Sequence, residues 1–234
     1  MIRKRIRHTC GKKRKTISNW AGKLKDVPCF LVGCGPSLSD QQVRMIDGLF
    51  SIGINSAYQK VDPTILMWQD IEFWYQVKRD LRSIQALKYC RDTSDPSGTY
   101  YHFKLSSGPF KHTSNPMSLF GRGNTGALAF ELACVLGCSP IVLLGYDCQY
   151  KGRKTDFFGT NAFHKPHTLR MCSNGLKWIH SNHTKERVEI INCSENKFFK
   201  EKYTLSEAVD MVEDKYKYTG RDLFLARLFE DIKK

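Results

Sequence analysis

The chain has 234 residues, of which 41% are hydrophobic and 12% aromatic, and its formal net charge at pH 7 is +14. No apolar run approaches the roughly 20 residues that a membrane-spanning helix requires. The basic amino-terminal stretch also lacks the apolar segment of a secretory signal. These features argue against a membrane partner, and we expect a soluble, cytoplasmic protein.

The nine cysteines are an odd number and lie mostly in apolar segments. This distribution is typical of a protein from a reducing compartment and not of a disulfide framework. Cys134 and Cys138 have the i, i+4 spacing of two ligands on one helix, but no second pair or histidine stands at zinc spacing. We therefore predict no metal site made by the chain alone.

The positive charge is concentrated at the amino terminus. Residues 1–15 contain eight of the Lys and Arg residues and no acid. We expect residues 1–17 to form a basic, flexible arm and residues 18–234 to form one domain. DNA or another nucleic acid is the natural partner of such an arm, because each neutralised phosphate releases condensed counterions. The alternative is a solvated leader that only aids solubility.

From residue 27 onward, short apolar runs that end in glycine or a polar residue alternate with stretches that suit helices. The predicted strands are 27–33, 49–55, 64–68, 140–145 and 188–192, and the predicted helices are 40–46, 71–90, 126–137, 169–182, 205–213 and 223–233. Residues 91–124 are rich in Ser, Gly, Pro, Tyr and His and predict an irregular insert, in which only 100–103 is strand-like. The alternation predicts an α/β fold: a Rossmann-like parallel, or mostly parallel, sheet with helices on both faces.

Ligands of an open parallel sheet bind beyond the carboxyl ends of its strands. Glycine in the loop after the first strand lets backbone amides approach a ligand, and free amides at a helix start favour an anion. We therefore predict one nucleotide-binding crevice that collects the polar residues at these ends. The predicted nucleotide-binding residues are Gly33, Cys34, Gly35, Pro36, Ser37, Asn55, Asp70, Asn124, Thr125, Gly126 and Tyr146.

Three segments, VGCGPSLSD, IGINSAY and GNTGALAFELACVLGCSPIVLLGYD, carry a family resemblance. In order and wording they resemble the nucleotide-binding segments of 6-hydroxymethylpterin diphosphokinase-like proteins, which include motility accessory factors and phage proteins. They also resemble the related bacterial sialyltransferases of glycosyltransferase family 42. The resemblance implies that Asn55 contacts base or ribose and that Asn124, Thr125 and Gly126 lie against phosphate or ribose. Cys34 departs from it, because the sialyltransferase pattern commonly has Asn there.

The candidate catalytic residues are His164, His167 and Asp147. The resemblance implies a histidine base that removes a proton from an acceptor hydroxyl, in the segment that contains His164 and His167. Asp147 matches the acid of the Gly-x-Asp motif of both groups. Each histidine is equally compatible with a surface loop, and Asp147 with a structural role that binds loop amides. Tyr146 is a candidate donor to a leaving phosphate.

These features favour a transferase that uses a nucleotide-activated donor, most simply a nucleotide-sugar-dependent glycosyltransferase. The basic arm suggests hydroxymethylated bases of phage-type DNA as the acceptor. The first alternative is an ATP-dependent diphosphokinase of a small hydroxymethyl compound. In that case Asp70 and Asp147 face one crevice and hold Mg²⁺, although the chain has no P-loop lysine. The second alternative is a nucleic-acid-binding accessory protein without catalysis.

Overall fold

A computed structural model of the chain describes residues 17, 19–106, 115–121, 124–159, 166–184, 188–213 and 221–229, with backbone alone at 166–167 and 221–223. The strands are β1 Cys29–Val32, β2 Ser51–Ile54, β3 Ile65–Trp68, β4 Leu87–Arg91, β5 Tyr101–Leu105, β6 Ser118–Leu119, β7 Ile141–Leu144 and β8 Ile190–Asn192. The α-helices are α1 Asp40–Met45, α2 Ile71–Val77, α3 Thr125–Leu136, α4 Pro166–Asn182, α5 Leu205–Val212 and α6 Arg221–Phe229. None of the described helices is long and apolar enough to cross a membrane.

The strands form one eight-stranded sheet in the order β6-β5-β4-β3-β2-β1-β7-β8. Every neighbouring pair is parallel. The strand order reverses direction at β1, which pairs with β2 on one side and with β7 on the other. A crevice opens beyond the carboxyl ends of the strands at such a switch point. The predicted α/β class with a parallel sheet is confirmed.

The two faces of the sheet carry separate parts of the core. Leu31 and Ile52 point into the cluster that contains α3, whereas Phe30 and Val32 belong to the cluster that contains Leu205 of α5. This alternation is the period of two expected of a strand whose two faces are both covered. Helix α3 is buried on nearly all sides because it packs against β1, β2 and β3 and is covered by α4. Its amino terminus is thereby fixed close to the switch point.

The region between β3 and α3 differs from the prediction. The expected helix 71–90 ends at Val77 as α2, and its last residues form β4 instead. The run Leu87-Lys88-Tyr89-Cys90 has no decisive period, and its pairing with β3 and β5 settles it as a strand. The expected irregular insert also supplies β5 and β6. The sheet is therefore larger than the sequence indicated.

The amino-terminal arm expected at residues 1–17 lies outside the described residues except for Ile17. That side chain is only 1% exposed and packs in the core cluster that contains α3. Trp20 follows it and is completely buried. Whatever precedes Ile17, the chain is already part of the folded core at this residue, and the arm itself stays a prediction.

Candidate functional site

A cavity of about 320 Å³ lies at the carboxyl edge of the sheet around the switch point. It is lined by Gly33, Cys34, Gly35, Ile54, Asn55, Ser56, Gln69, Asp70, Asn124, Thr125, Gly126, Gly145, Tyr146, Cys148, Thr155, Asp156, Thr168, Leu169, Met171 and Cys172. The loops after β1, β2, β3 and β7 thus meet the amino termini of α3 and α4. Of the predicted nucleotide-binding residues, all but Pro36 and Ser37 line this one cavity.

The glycines of the loop after β1 serve close backbone packing. A Cβ at Gly33 would lie 2.4 Å from the Gly145 oxygen, and one at Gly35 would lie 2.5 Å from Asp147 Oδ2. The amides of both glycines donate inside the protein, from Gly33 to the Leu144 oxygen and from Gly35 to the Gly145 oxygen, both at 2.8 Å. These two amides therefore have partners inside the protein, and the binding of a nucleotide by Gly33 and Gly35 stays a prediction. The loops after β1 and β7 are joined too closely to leave them free.

Asp147 joins the same two loops and is not among the residues that line the cavity. Its carboxylate accepts hydrogen bonds from Ser37 N at 2.7 Å, from Ser37 Oγ at 2.6 Å and from Glu195 N at 2.9 Å. Burial raises the pKa of Asp147, and the hydrogen bonds from Ser37 and Glu195 offset this only in part. The expectation that Asp70 and Asp147 face one crevice is wrong for Asp147. The geometry gives Asp147 a positioning role.

The first turn of α3 lies at the cavity and is suited to an anion. The Asn124 side chain caps this helix by accepting a hydrogen bond from Ala127 N at 3.0 Å. The N–H groups of Thr125 and Gly126 precede any intrahelical acceptor, and both residues line the cavity. The helix macrodipole adds a partial positive charge at this end. A phosphate is therefore best accommodated here.

Asn55 lines the cavity and carries an unsatisfied acceptor. It follows β2 directly and has a φ of 48°, in the left-handed region that Asn tolerates better than most residues. Its Oδ1 atom is buried and has no hydrogen-bond partner among the described residues. A buried acceptor without a partner costs free energy, and a ligand N–H or O–H would remove that cost.

Asp70 and Tyr146 both line the cavity, but the first is exposed and the second is buried. Asp70 is exposed in the cavity, and desolvation by the surrounding protein, followed by the negative charge of Glu72, raises its pKa. Tyr146 is buried, and its hydroxyl donates to the Gly126 oxygen at 3.3 Å. Burial raises the pKa of Tyr146 well above its usual range, so the phenol stays neutral. Tyr146 therefore supports the first turn of α3 rather than offering its hydroxyl to a phosphate.

The far wall of the cavity was not foreseen from the sequence. It consists of Cys148, Thr155 and Asp156 from the loop after β7 and of Thr168, Leu169, Met171 and Cys172 from α4. Asp156 is 1% exposed and accepts a hydrogen bond from the Thr155 hydroxyl at 3.0 Å. The hydrogen bond between the Cys148 and Cys172 thiols, followed by burial, raises the pKa of Cys148. The Cys148 thiol therefore stays protonated.

The candidate histidines are described in part or not at all. His164 lies outside the described residues. His167 belongs to the first turn of α4, where the backbone alone is described. The next two residues, Thr168 and Leu169, line the cavity. The assignment of either histidine as a base stays a prediction.

Within the described residues, one group of metal-ligating side chains lies close together, outside the cavity. The group consists of Cys90, Asp95 and His102, all of them buried, with their candidate ligand atoms within 4.8 Å of one another. Asp95 accepts from Ser97 N and Tyr100 N and lies 3.1 Å from His102 Nε2. These bonds hold the β4–β5 connection, which accounts for the cluster structurally.

No family model and no curated protein sequence matches this chain. Among solved structures, it is similar to the MAf glycosyltransferase from Magnetospirillum magneticum AMB-1, with a TM-score of 0.60 and 16% identity over 94% of this chain and 42% of that chain. It thus spans less than half of that relative. A second similar structure is the sialyltransferase CstII from Campylobacter jejuni in complex with cytidine-5'-monophosphate, with a TM-score of 0.42 and 14% identity over 81% and 98% of the two chains. The first likeness establishes a shared fold.

Proposed function

We propose that this chain is a nucleotide-sugar-dependent glycosyltransferase and that the cavity at the switch point is its donor site. The supporting observation is a single cavity lined by Thr125 and Gly126, in the first turn of α3, and by Asn55, whose Oδ1 atom is unsatisfied. A nucleotide needs both an anion site and a polar partner for its base or ribose. The likeness to the MAf glycosyltransferase supports this reading, since the alignment includes nearly the whole of this chain.

The first turn of α3 takes the phosphate of the donor in this proposal. When a sugar is transferred, the acceptor oxygen bonds to the anomeric carbon, and the bond from that carbon to the phosphate oxygen breaks. The nucleotide leaves with the electron pair and gains negative charge at the phosphate. The amides of Thr125 and Gly126 and the helix dipole stabilise that developing charge without reorganisation.

The proton of the acceptor hydroxyl needs a base beside the anomeric carbon. His167 and His164 keep this proposed role, and the residues that follow His167 line the cavity. Asp70 is a further candidate, because its raised pKa makes it a stronger base than an ordinary carboxylate. Asp147 has no part in this step, since Ser37 and Glu195 occupy its oxygens.

The finer proposal concerns the acceptor, for which the basic residues 1–15 favour DNA with hydroxymethylated bases. Incubation of the chain with such DNA and a panel of nucleotide sugars should increase the mass of the DNA. A nucleotide sugar that is bound and consumed without any such increase would remove DNA as the acceptor. The diphosphokinase alternative required Asp70 and Asp147 to share a metal ion. It is not supported, because the Asp147 oxygens accept hydrogen bonds from Ser37.

A thermal-shift survey with CMP, UDP, GDP and ATP tests the donor site. A nucleotide at about 100 times its Kd adds about 2.7 kcal/mol of stability, which raises the Tm of a chain this long by roughly 5–10 °C. Asn55→Gly removes the unsatisfied acceptor while accepting the positive φ without strain. We expect this variant to raise the Kd for the nucleotide about 3- to 10-fold, which corresponds to the loss of one hydrogen bond.

Asp26→Gly is the matched control for this variant. Asp26 also has a positive φ, of 59°, but it precedes β1 at the opposite edge of the sheet. We expect Asp26→Gly to bind the nucleotide with the Kd of the wild type. The proposal fails if no nucleotide shifts the Tm of the wild type, or if both variants lose affinity equally.

A further inference from the structure

Several exposed apolar side chains lie in or next to segments that line the cavity. In the described part of the chain, the large exposed apolar residues are Tyr75, Tyr150, Phe158, Met171 and Met211. Met171 lines the cavity itself, and Phe158 comes two residues after the lining residue Asp156. Tyr150 comes two residues after the lining residue Cys148. Three of these five side chains thus lie in the loop after β7 or in α4, the two segments that form the far wall of the cavity.

Positive charge accompanies these side chains. Lys151 and Lys154 pair through their backbones in a small hairpin, and all residues from 151 to 154 are exposed. The loop is tied to the donor cavity, since Phe157 N donates to the Cys34 oxygen at 2.9 Å. We call Lys151, Lys154, Phe158 and Met171 the rim.

The rim lies at the cavity itself. Met171 lines the cavity, and Lys151, Lys154 and Phe158 belong to the loop after β7, whose residues Cys148, Thr155 and Asp156 also line it. A strand bound to this loop therefore lies at the cavity.

We propose that the rim binds a single-stranded nucleic acid and holds it over the cavity as the acceptor. Exposed aromatic rings stack unpaired bases, and lysines beside them pair with the phosphates of the same strand. A paired duplex gives the exposed rings nothing to stack on. An anionic membrane surface also takes aromatic rings beside lysines, and vesicle binding is therefore measured as the competing outcome. That the strand is the acceptor rests on the proposed function; that the rim binds it does not.

The test is a fluorescence anisotropy titration of the full chain with a labelled 20-residue oligothymidylate and a duplex of the same length. The rim variant combines Lys154→Gln with Phe158→Ala. The matched control combines Lys25→Gln with Met211→Ala, which removes one exposed cation and one exposed apolar side chain away from the rim. Residues 1–15 are unchanged in both variants, so any binding by the basic arm cancels in the comparison.

We expect the wild type to prefer the single strand, and the rim variant to raise its Kd about tenfold or more. The slope of log K against log salt should fall by about 0.7 for the lost phosphate contact. The control should stay within about twofold of the wild type. Equal weakening in both variants, or equal affinity of the wild type for duplex and single strand, overturns the proposal.

A parallel sedimentation assay with phosphatidylserine vesicles distinguishes nucleic-acid binding from membrane binding by the rim. Loss of vesicle binding in the rim variant, with unchanged oligonucleotide affinity, would assign the surface to a membrane and overturn the proposal. The titrations contain no sugar donor, so their outcome is independent of transfer. Conversely, the nucleotide survey can fail while the rim still binds the oligonucleotide.

Discussion

Asp147→Asn probes the junction between the loops after β1 and β7. In the wild type, Oδ1 accepts from Ser37 Oγ and Glu195 N, and Oδ2 accepts from Ser37 N. An asparagine oriented to keep the two bonds of Oδ1 turns its NH₂ group toward the Ser37 N–H. A lost hydrogen bond to a charged acceptor costs about 1.5–3 kcal/mol. We therefore expect the free energy of unfolding at pH 7 to fall by about 2 kcal/mol.

The cost should depend on pH with a definite sign. Because burial raises the pKa of Asp147 above 3.8 in the folded state, its protonated form is favoured by folding. That contribution is fully present below pH 3.8 and is lost as the pH rises through the higher folded value. The asparagine variant lacks it. The gap in stability between wild type and variant should therefore widen as the pH falls toward 3.8.

Urea denaturation at several pH values measures this gap. Asp210→Asn is the control, because Asp210 is exposed on α5 and its replacement should change stability by less than about 0.5 kcal/mol. A variant at Asp147 that is as stable as wild type at every pH, yet inactive in transfer, would refute the positioning role. It would return Asp147 to the catalytic residues.

Two further predictions concern the helix cap and the buried His–Asp pair. Asn124→Asp keeps the cap of α3 but adds negative charge beside the anion site, so the stability should not change while nucleotide affinity falls about tenfold. Asn124→Ala removes the cap and should lower the free energy of unfolding by about 1 kcal/mol. Calorimetry measures the affinities and thermal unfolding the stabilities, and equal nucleotide affinity of the wild type and Asn124→Asp would contradict the site. Burial alone would raise the pKa of Asp95, but bonds from His102, Ser97 and Tyr100 outweigh it and lower the pKa to about 2. Asp95 therefore stabilises the fold above pH 3.8 and loses this effect as the pH falls through 2. His102→Gln should lower the free energy of unfolding by up to about 2 kcal/mol at pH 7 and by much less at pH 2. A loss of stability that is independent of pH would contradict this prediction.

The sequence was sufficient for the parts of the fold that local pattern controls. The apolar runs of β1, β3 and β7 end at glycine or a polar residue, and most of the cavity-lining residues of their carboxyl ends were found from that rule alone. β4 was missed because its five residues of mixed polarity carry no period that separates a strand from a helix. Its assignment depends on pairing with β3 and β5, which lie apart from it in the chain.

The sequence predicted which residues line the site better than it predicted what each residue does there. Gly33 and Gly35 were identified as positions where the absence of a Cβ lets a ligand approach, and the structure adds a second reason, because a Cβ would collide with Gly145 and Asp147. Such a contact between two loops more than a hundred residues apart leaves no local signal. The wall formed by Asp156 and Cys172 was missed for the same reason, since it exists only when α4 and the loop after β7 pack together.

The most direct test of the donor site is a crystal structure with the nucleotide that raises the Tm most. Its phosphate should lie within about 3 Å of the amides of Thr125 and Gly126, and one of its N–H or O–H groups should donate to Asn55 Oδ1. A nucleotide bound outside this cavity, or one whose phosphate points away from α3, would contradict the account.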